Sequence, residues 1–509
     1  MMRTAAQTAA MMAALTLGTK FLGFLREVFL AGFFGTSPVT DAYVMAGAIP
    51  GILFAGVFTS MSVSYMPLFS DIMEREGRES GNRFTSQAIT LSAGLAALCS
   101  VLGILFADQL VSVFAAGFEG ETATLTAFYL RITFSYIVFN AGAGLLESYL
   151  QYNGTFLKPV LAGYLQSGFV LIAIVVSALL DYRLLALGLL IGTILRTLAL
   201  VLFAAQRGFE WRPGGQLTRA AKTIVALAIP VFIGSTVNQI NTFVDKMLAS
   251  GLESGSVSAL NYGYLLINMI TTLTITVVVT IIYPRLTRSQ SAGEDLQFNR
   301  ACAAGFSIAL MLSAPCSLGA MLYSQPVIRM VYERGAFDQA STELTTGAFA
   351  FYALGLVFVA LNALLVKIFY ALQDMKTPVL CGVAAAVTNI VLNLALVGPM
   401  EQRGLALATS IAALVNTVAL FVLLKKKHPE VRVVESSAKT AKILAAALAS
   451  VALSWPVYAG LGRLAGLHAF VALGAAVAAA ASAYLLLLHL FKIEELSLLG
   501  DLVKRKESR

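Results

Sequence analysis

The chain has 509 residues, 58% of them hydrophobic and only 12% charged, with a mean hydropathy of +0.81. So much apolar surface excludes a soluble globular protein and makes this an integral membrane protein. The net charge of +8 does not imply nucleic acid, because the basic residues sit in short loops between apolar runs and form no basic domain.

The opening stretch, "MMRTAAQTAAMMAALTLG", has the make-up of a secretory signal, yet the apolar pattern continues through Lys20 to Phe34. A retained first helix is therefore expected rather than a cleaved leader. Hydropathy and loop breaks place fourteen helices, at 5–34, 40–68, 86–108, 123–150, 157–180, 184–205, 223–250, 256–283, 300–323, 343–371, 377–397, 404–424, 438–461 and 466–490. The runs are continuous rather than alternating, which argues against a β-barrel. The four cysteines, Cys99, Cys302, Cys316 and Cys381, stand singly in apolar runs and read as small core residues.

The loops after even-numbered helices are the basic ones. They include Arg75, Arg78 and Arg83, then Arg207, Arg212, Arg219 and Lys222, and later Lys425, Lys426 and Lys427. Both termini are expected on the cytoplasmic side of the membrane. An internal repeat supplies the organisation. "LAGFFGTSPVTDAY" (30–43) parallels "LASGLESGSVSALN" (248–261), and "GTFLKPVLAG" (154–163) parallels "QDMKTPVLCG" (373–382), at offsets of 218 and 219. Six helices separate the copies, and an even number restores the direction of insertion. The expected fold is all-α and polytopic: two parallel-repeat six-helix lobes around a central cavity, plus two C-terminal helices. The corresponding segments are 1–222, 223–432 and 433–509.

Ionisable groups inside the spans carry the functional question, since each costs about 2.5–3.5 kcal/mol at the helix centre on insertion scales. Lys20 and Glu27 are seven residues apart, on nearly the same face of the first helix, while Arg26 points about 120° away. Lys20 and Arg26 suit anion capture, Arg through bidentate hydrogen bonds and Lys as a point charge; neutralising neighbours on adjacent helices is the alternative. Gly18 and Gly23 bracket Lys20, so the helix has a place to bend or open there. Asp41 follows a turn and reads either as a cap of the second helix or as a site residue. Arg131 and Arg196 lie near helix ends, within snorkelling reach of the surface. Glu147, Lys246 and Lys367 are further internal charges. Asp245 is the repeat mate of Glu27, and matched acids suit coupling to Na+, H+ or the membrane potential. Asp374 either caps the eleventh helix or joins that cation site.

Enzyme chemistry finds no support here. His428, His468 and His489 stand singly, without acidic or cysteine partners at ligand spacing, and there is neither a P-loop nor a nucleophile elbow. No cofactor is expected.

The segments "TKFLGFLREVFLAGFFGTSPVTDAYVMAGAIP", "NQINTFVDKMLASGLESGSVSALNY" and "YERGAFDQASTELTTGAFAFYALGLVFVALNALLVKIFYALQDMKTPV" resemble the MurJ (MviN) lipid II flippases. These belong to the multidrug/oligosaccharidyl-lipid/polysaccharide (MOP) exporter superfamily. The resemblance runs in register from residue 15 to about 430. It implies a cationic cavity that takes the pyrophosphate and sugars of an undecaprenyl-pyrophosphate-linked peptidoglycan precursor, with the last two helices receiving the lipid tail. Carried over by position, the cavity bases fall on Lys20 and Arg26 and the acid after the turn on Asp41. The cation-site acids fall on Asp245 and Asp374. With Glu27 and Lys367, the first three make the set of candidate substrate contacts.

Two departures accompany the resemblance. The paired arginines that family members carry after the proline of helix two are absent from "IPGILFAGVFTSM", and Leu265 in "GYLL" stands where they carry an Arg. The expected function is translocation of a lipid-linked glycan by alternating access, with lipid II the leading substrate. Alternatives are another lipid-linked oligosaccharide, a cation-coupled multidrug exporter, or a scaffold for envelope enzymes. Expected partners are the glycan lipid, membrane lipids and cell-wall synthesis enzymes.

Overall fold

A computed structural model describes residues 5–214, 216–463 and 469–497. His468, the first three residues of the expected helix 466–490 and the tail beyond residue 497 lie outside the described residues. The described residues are helical, with no strand. The chain divides into two compact units. One runs to Ser258 and takes in Arg334–Asp338; the other holds Ala259–Glu333 and the chain from Gln339 onward.

The first unit contains α1 (Ala5–Phe34), α2 (Pro38–Arg75), α3 (Arg78–Leu105), a short α4 (Ala107–Phe114), α5 (Gly120–Asn140), α6 (Ala143–Tyr152), α7 (Leu157–Leu179), α8 (Leu185–Ala205) and α9 (Arg219–Ala249). Helix α2 is its spine and packs along α5 and α9, while α7 and α8 form a hairpin with α1 against α7. Small residues make the close approach possible: Ala42 and Ala46 of α2 are fully buried in one core with Ile49, Phe134 and Ile137. Nearer the basic ends, Tyr65 stacks on Phe69 (5.0 Å) and Phe84 (5.5 Å), and its hydroxyl hydrogen-bonds with Thr85 Oγ1 at 2.7 Å. The phenol is thus satisfied where it is fully buried.

The second unit contains α10 (Ser256–Ser291) beyond its first turn, then α11 (Asp295–Leu322), a short α12 (Ser324–Tyr332), α13 (Gln339–Ala371), α14 (Lys376–Lys427), α15 (Ser437–Arg463) and α16 (Ala469–Leu490). Helix α13 packs along α11 and α14, and the α15–α16 hairpin is carried by α11. Tyr484 donates to the carbonyl of Met311 (2.9 Å), and the hydroxyls of Tyr323 and Ser454 meet at 2.6 Å.

By length and composition, ten of the described helices are able to cross a membrane, eleven if the two halves of α2, bent by 41°, count as one span. The expected eleventh and twelfth helices both lie within the 52 residues of α14, whose helical path breaks at Glu401 (φ 53°) just after Pro399. The expected helix 123–150 is split into α5 and α6 around Ala141 and Gly142. The expected opening of α1 beside Lys20 is absent, because α1 is one unbroken helix. Gly18 instead makes room for Tyr164, whose hydroxyl donates to Leu15 O at 2.9 Å.

The duplication is visible in the element boundaries. Helices α2 and α10 begin at Pro38 and Ser256, 218 residues apart; α4 and α12 at Ala107 and Ser324, 217 apart; and α7 and α14 at Leu157 and Lys376, 219 apart. Even the short amphipathic helices α4 and α12, too short for hydropathy to register, recur in the same place.

Candidate functional site

Four charges of alternating sign gather in the first unit, from α1 and the end of α9. Arg26 donates to one oxygen of Glu27 twice, from Nη2 at 2.6 Å and Nε at 3.1 Å. Glu27 is buried, whereas the Arg26 side chain keeps 32% of its surface exposed. Lys246 lies within electrostatic reach of both Glu27 and Asp245, and Asp245 is buried. Tyr43 of α2 lies in the field of Arg26 and Glu27, with Tyr136 of α5 beside it. Glu27 and Asp245, repeat mates 218 residues apart, are thereby linked through one lysine. Every buried charge here has an opposite charge in range, the condition for tolerating it in a low dielectric. Arg26 uses two of its five N–H donors on Glu27 and keeps about a third of its side chain exposed, so it is equipped to exchange a carboxylate for an incoming anion.

Lys20, two turns earlier on α1, is exposed and makes no hydrogen bond or ion pair among the described residues. It resembles a free point charge rather than part of the four-member group.

Asp41 is a cap, but of a different helix from the one the turn suggests. Helix α2 is capped by Ser37, whose side chain accepts from Thr40 N–H at 3.4 Å. The buried Asp41 carboxylate reaches instead to the start of α10, accepting from Gly255 N–H at 2.6 Å and Ser258 N–H at 2.8 Å. The repeat explains why. Ser37 is the mate of Gly255, which has no side chain to cap α10 with, so an acid on α2 satisfies those orphan donors. Gly255 has φ +94°, and a Cβ there would lie 2.8 Å from Thr36 O, so the position admits only glycine.

In the second unit, Lys367 sits over the rings of Tyr283 (5.1 Å) and Tyr370 (5.4 Å), where each ring face attracts its ammonium. Asp374 starts α14. It accepts from the N–H groups of Lys376 (3.1 Å) and Thr377 (3.0 Å), from the Thr377 hydroxyl (2.6 Å) and from Lys427 Nζ (2.8 Å). Lys427, and after it Thr377, hold the Asp374 carboxyl well below the usual carboxylate range. Its caps are local and complete, and the capping alternative describes its geometry.

Arg196 does not snorkel. Its Nη2 meets Glu147 at 2.6 Å and its Nη1 reaches Asn140 and Gln166, both at 3.3 Å, which makes a second internal polar group at the break between α5 and α6. Arg131 pairs with Asp108 on α4 at 2.7 Å. Asn389, Asn393 and Thr409 emerge as a polar group only in the folded chain. In the structure Asn389 donates to Thr409 (3.2 Å) and Asn393 to Asn389 (2.8 Å). The signal available was the i,i+4 asparagine pair in an apolar run. Among the described residues no three His, Cys, Asp or Glu side chains gather as a metal site.

The sequence model of one family, described as lipid II flippase MurJ, matches residues 30–490. A lipid II flippase MurJ of Burkholderia cenocepacia is 28% identical over 431 residues, covering 81% of this chain and 82% of its own. A probable lipid II flippase MurJ of Vibrio cholerae is 29% identical, with 80% of each chain covered. Among solved structures, a lipid II flippase MurJ in an inward closed conformation superposes with a TM-score of 0.81 at 24% identity, over 95% of this chain and 98% of its own. An inward-facing multidrug resistance transporter of the MATE family, within the MOP superfamily, gives 0.67 at 14% identity, over 82% of this chain and 96% of its own.

Proposed function

The chain belongs to the MurJ family of lipid II flippases, and from that premise we propose that it moves lipid II, a polyprenyl-pyrophosphate-linked glycan, from the cytoplasmic to the outer leaflet of the bacterial plasma membrane. The family match over residues 30–490 carries the reading. The chain acts as a transporter rather than an enzyme, by alternating access of its two six-helix halves. Both termini lie in the cytoplasm, and the enzymes that make and use the glycan lipid are its neighbours.

Lys20 and Arg26 engage the diphosphate. Lys20 is exposed, and Arg26 is partly exposed and held by a single carboxylate oxygen, so an anion of higher charge competes for it. Glu27 keeps Arg26 oriented while the site is empty. The acid pair Glu27 and Asp245, with Lys246 between them in charge, suits a coupling role for a cation or the membrane potential. Helices α15 and α16 guide the lipid tail.

Depletion of the protein should cause lipid II to accumulate on the inner leaflet; altered drug resistance without accumulation would favour the multidrug alternative. Each lost charge-assisted hydrogen bond to phosphate costs about 1.5–3 kcal/mol, roughly a 10- to 100-fold loss of affinity. A Lys20→Ala, Arg26→Ala double variant should therefore fail to complement the depleted strain, while Arg26→Lys, which keeps charge but not the fork, should complement weakly. Full complementation by the double variant would remove the anion-binding role from α1.

A further inference from the structure

Away from the charged group, the first unit holds an apolar cavity of about 410 Å³, a size within the range of roughly 300–1,000 Å³ usual for ligand pockets. Ile89 of α3, Val138 and Phe139 of α5, Leu146 of α6 and Val201 of α8 line it, and Trp211 stands at its end. The polar exception, Thr197, already donates its hydroxyl to Phe139 O at 2.9 Å, so the cavity presents an apolar lining. Phe139, Val201 and Trp211 are 40%, 41% and 54% exposed, which places the opening on the flank of the unit. Along α8 the lining runs from Thr197 to Ala205, about 12 Å of depth into the membrane from the helix end.

The wall beyond α8 is built rather than incidental. Asn82 donates to Gly208 O (2.9 Å), Ser86 accepts from Arg212 N–H (2.9 Å), and Gln87 both donates to Gln216 O (3.1 Å) and accepts from Thr218 N–H (2.9 Å). These bonds fix the segment that carries Phe209 and Trp211 against α3. Phe209 in turn stands edge-on to Tyr149 at 5.4 Å and to Trp211 at 6.3 Å. The segment that carries Phe209 and Trp211 is basic, with Arg207 and Arg212 in it. Arg207, between the lining residues Ala205 and Phe209, is exposed and makes no ion pair among the described residues. The nearby acids Glu79 and Glu210 share the single cation of Arg212, and the Arg78 guanidinium lies beside Gly208, so these groups and Arg207 together keep one positive charge in excess.

We propose that this cavity is a binding site for one acyl chain of an acidic glycerophospholipid, with the headgroup phosphate held at Arg207 and the Trp211 indole at the level of the headgroup. A membrane-facing slot, an indole at the interface and an uncompensated cation above it are the three features such a lipid recognises. The leaflet is the one faced by the basic loops. The site is separate from the proposed transport route and does not depend on it.

The chain has two tryptophans, so Trp455→Phe leaves Trp211 as its sole indole. That variant of the full protein, reconstituted in vesicles, is titrated with dibrominated phosphatidylglycerol or dibrominated phosphatidylcholine, and Trp211 fluorescence is followed. Phosphatidylglycerol should quench at a severalfold lower mole fraction. Arg207→Gln should reduce that preference by about fivefold, the worth of one interfacial cation. Filling the slot with Ala93→Phe, at a lining residue of α3, or with Ala205→Phe, at a lining residue of α8, should abolish it at an unchanged thermal midpoint. Equal quenching by the two lipids overturns the proposal, as does a preference that survives both filled variants. Relief of quenching by a polyprenyl diphosphate but not by unbrominated phosphatidylglycerol would assign the slot to the substrate's tail and overturn it equally.

Discussion

The turns that follow α4 and α12 occupy equivalent places in the two repeats, and each packs against the end of the other repeat's first helix. Gly117 lies on the backbone of Ser250 and Gly251, just past α9, while Gly335 lies on Gly32 O near the end of α1. Ala336 N–H donates to the same Gly32 carbonyl at 2.8 Å. The repeats agree here, down to the glycine. They disagree at Asp41, whose mate is Ala259, because the acid of the first repeat caps the helix that the second leaves uncapped. Duplication has thus preserved backbone contacts that only glycine permits, while side-chain roles have been redistributed between the copies.

Gly335→Ala should break the comparison most severely. It combines a left-handed φ of +59° with direct overlap on a backbone carbonyl. Strain of about 1–2 kcal/mol adds to overpacking of about 1–3 kcal/mol, so a loss of about 3 kcal/mol or more in unfolding free energy is expected. Gly117 is equally crowded but is not in the left-handed region, so Gly117→Ala should cost only the overpacking share. Thermal unfolding of the two variants in detergent measures the difference; equal losses would mean that the φ at Gly335 is not maintained.

Next in size is Asp41→Ala, which leaves two N–H donors at the start of α10 without their acceptor in a buried place. About 2–3 kcal/mol is expected, and Asp41→Asn, which keeps one acceptor oxygen, should lose about half as much. Ser37→Ala, removing an ordinary local cap from α2, should lose about 1 kcal/mol. If Ser37→Ala proved worse than Asp41→Ala, the assignment of the two caps to different helices would be wrong. The same unfolding series decides it.

These residues also show what a single sequence discloses. Helix existence, the all-α membrane class and the repeat were legible because each rests on composition or spacing. Asp374 was legible as a cap because its backbone partners lie two and three residues away. The partners of Asp41 lie 214 and 217 residues away, and nothing local distinguishes such an acid from a cap of its own helix. The partner of Arg196 is hidden for the same reason: a structural role is legible, but helix-end position suggests snorkelling while Glu147 lies on another helix, 49 residues off. The linking of Glu27 and Asp245 through Lys246 required the packing of several helices to be known.

Asp374 supplies the smallest effect and a sharp contrast with Asp41. Its carboxyl is held below the usual range by Lys427 first and by Thr377 after it. Because the folded value lies below the unfolded value of about 3.9, the carboxylate contributes stability that is fully present above that value and is lost as pH falls through the folded one. Asp374→Asn should therefore lower the thermal midpoint slightly at pH 7, and the gap to the unmodified protein should close progressively as pH drops below about 4. Lys427 is about half exposed, so added salt should narrow the gap at pH 7 as well. A gap that is unchanged between pH 7 and pH 3, or that widens in acid, would mean that the ion pair with Lys427 does not hold this junction and that α14 is started by Thr377 alone.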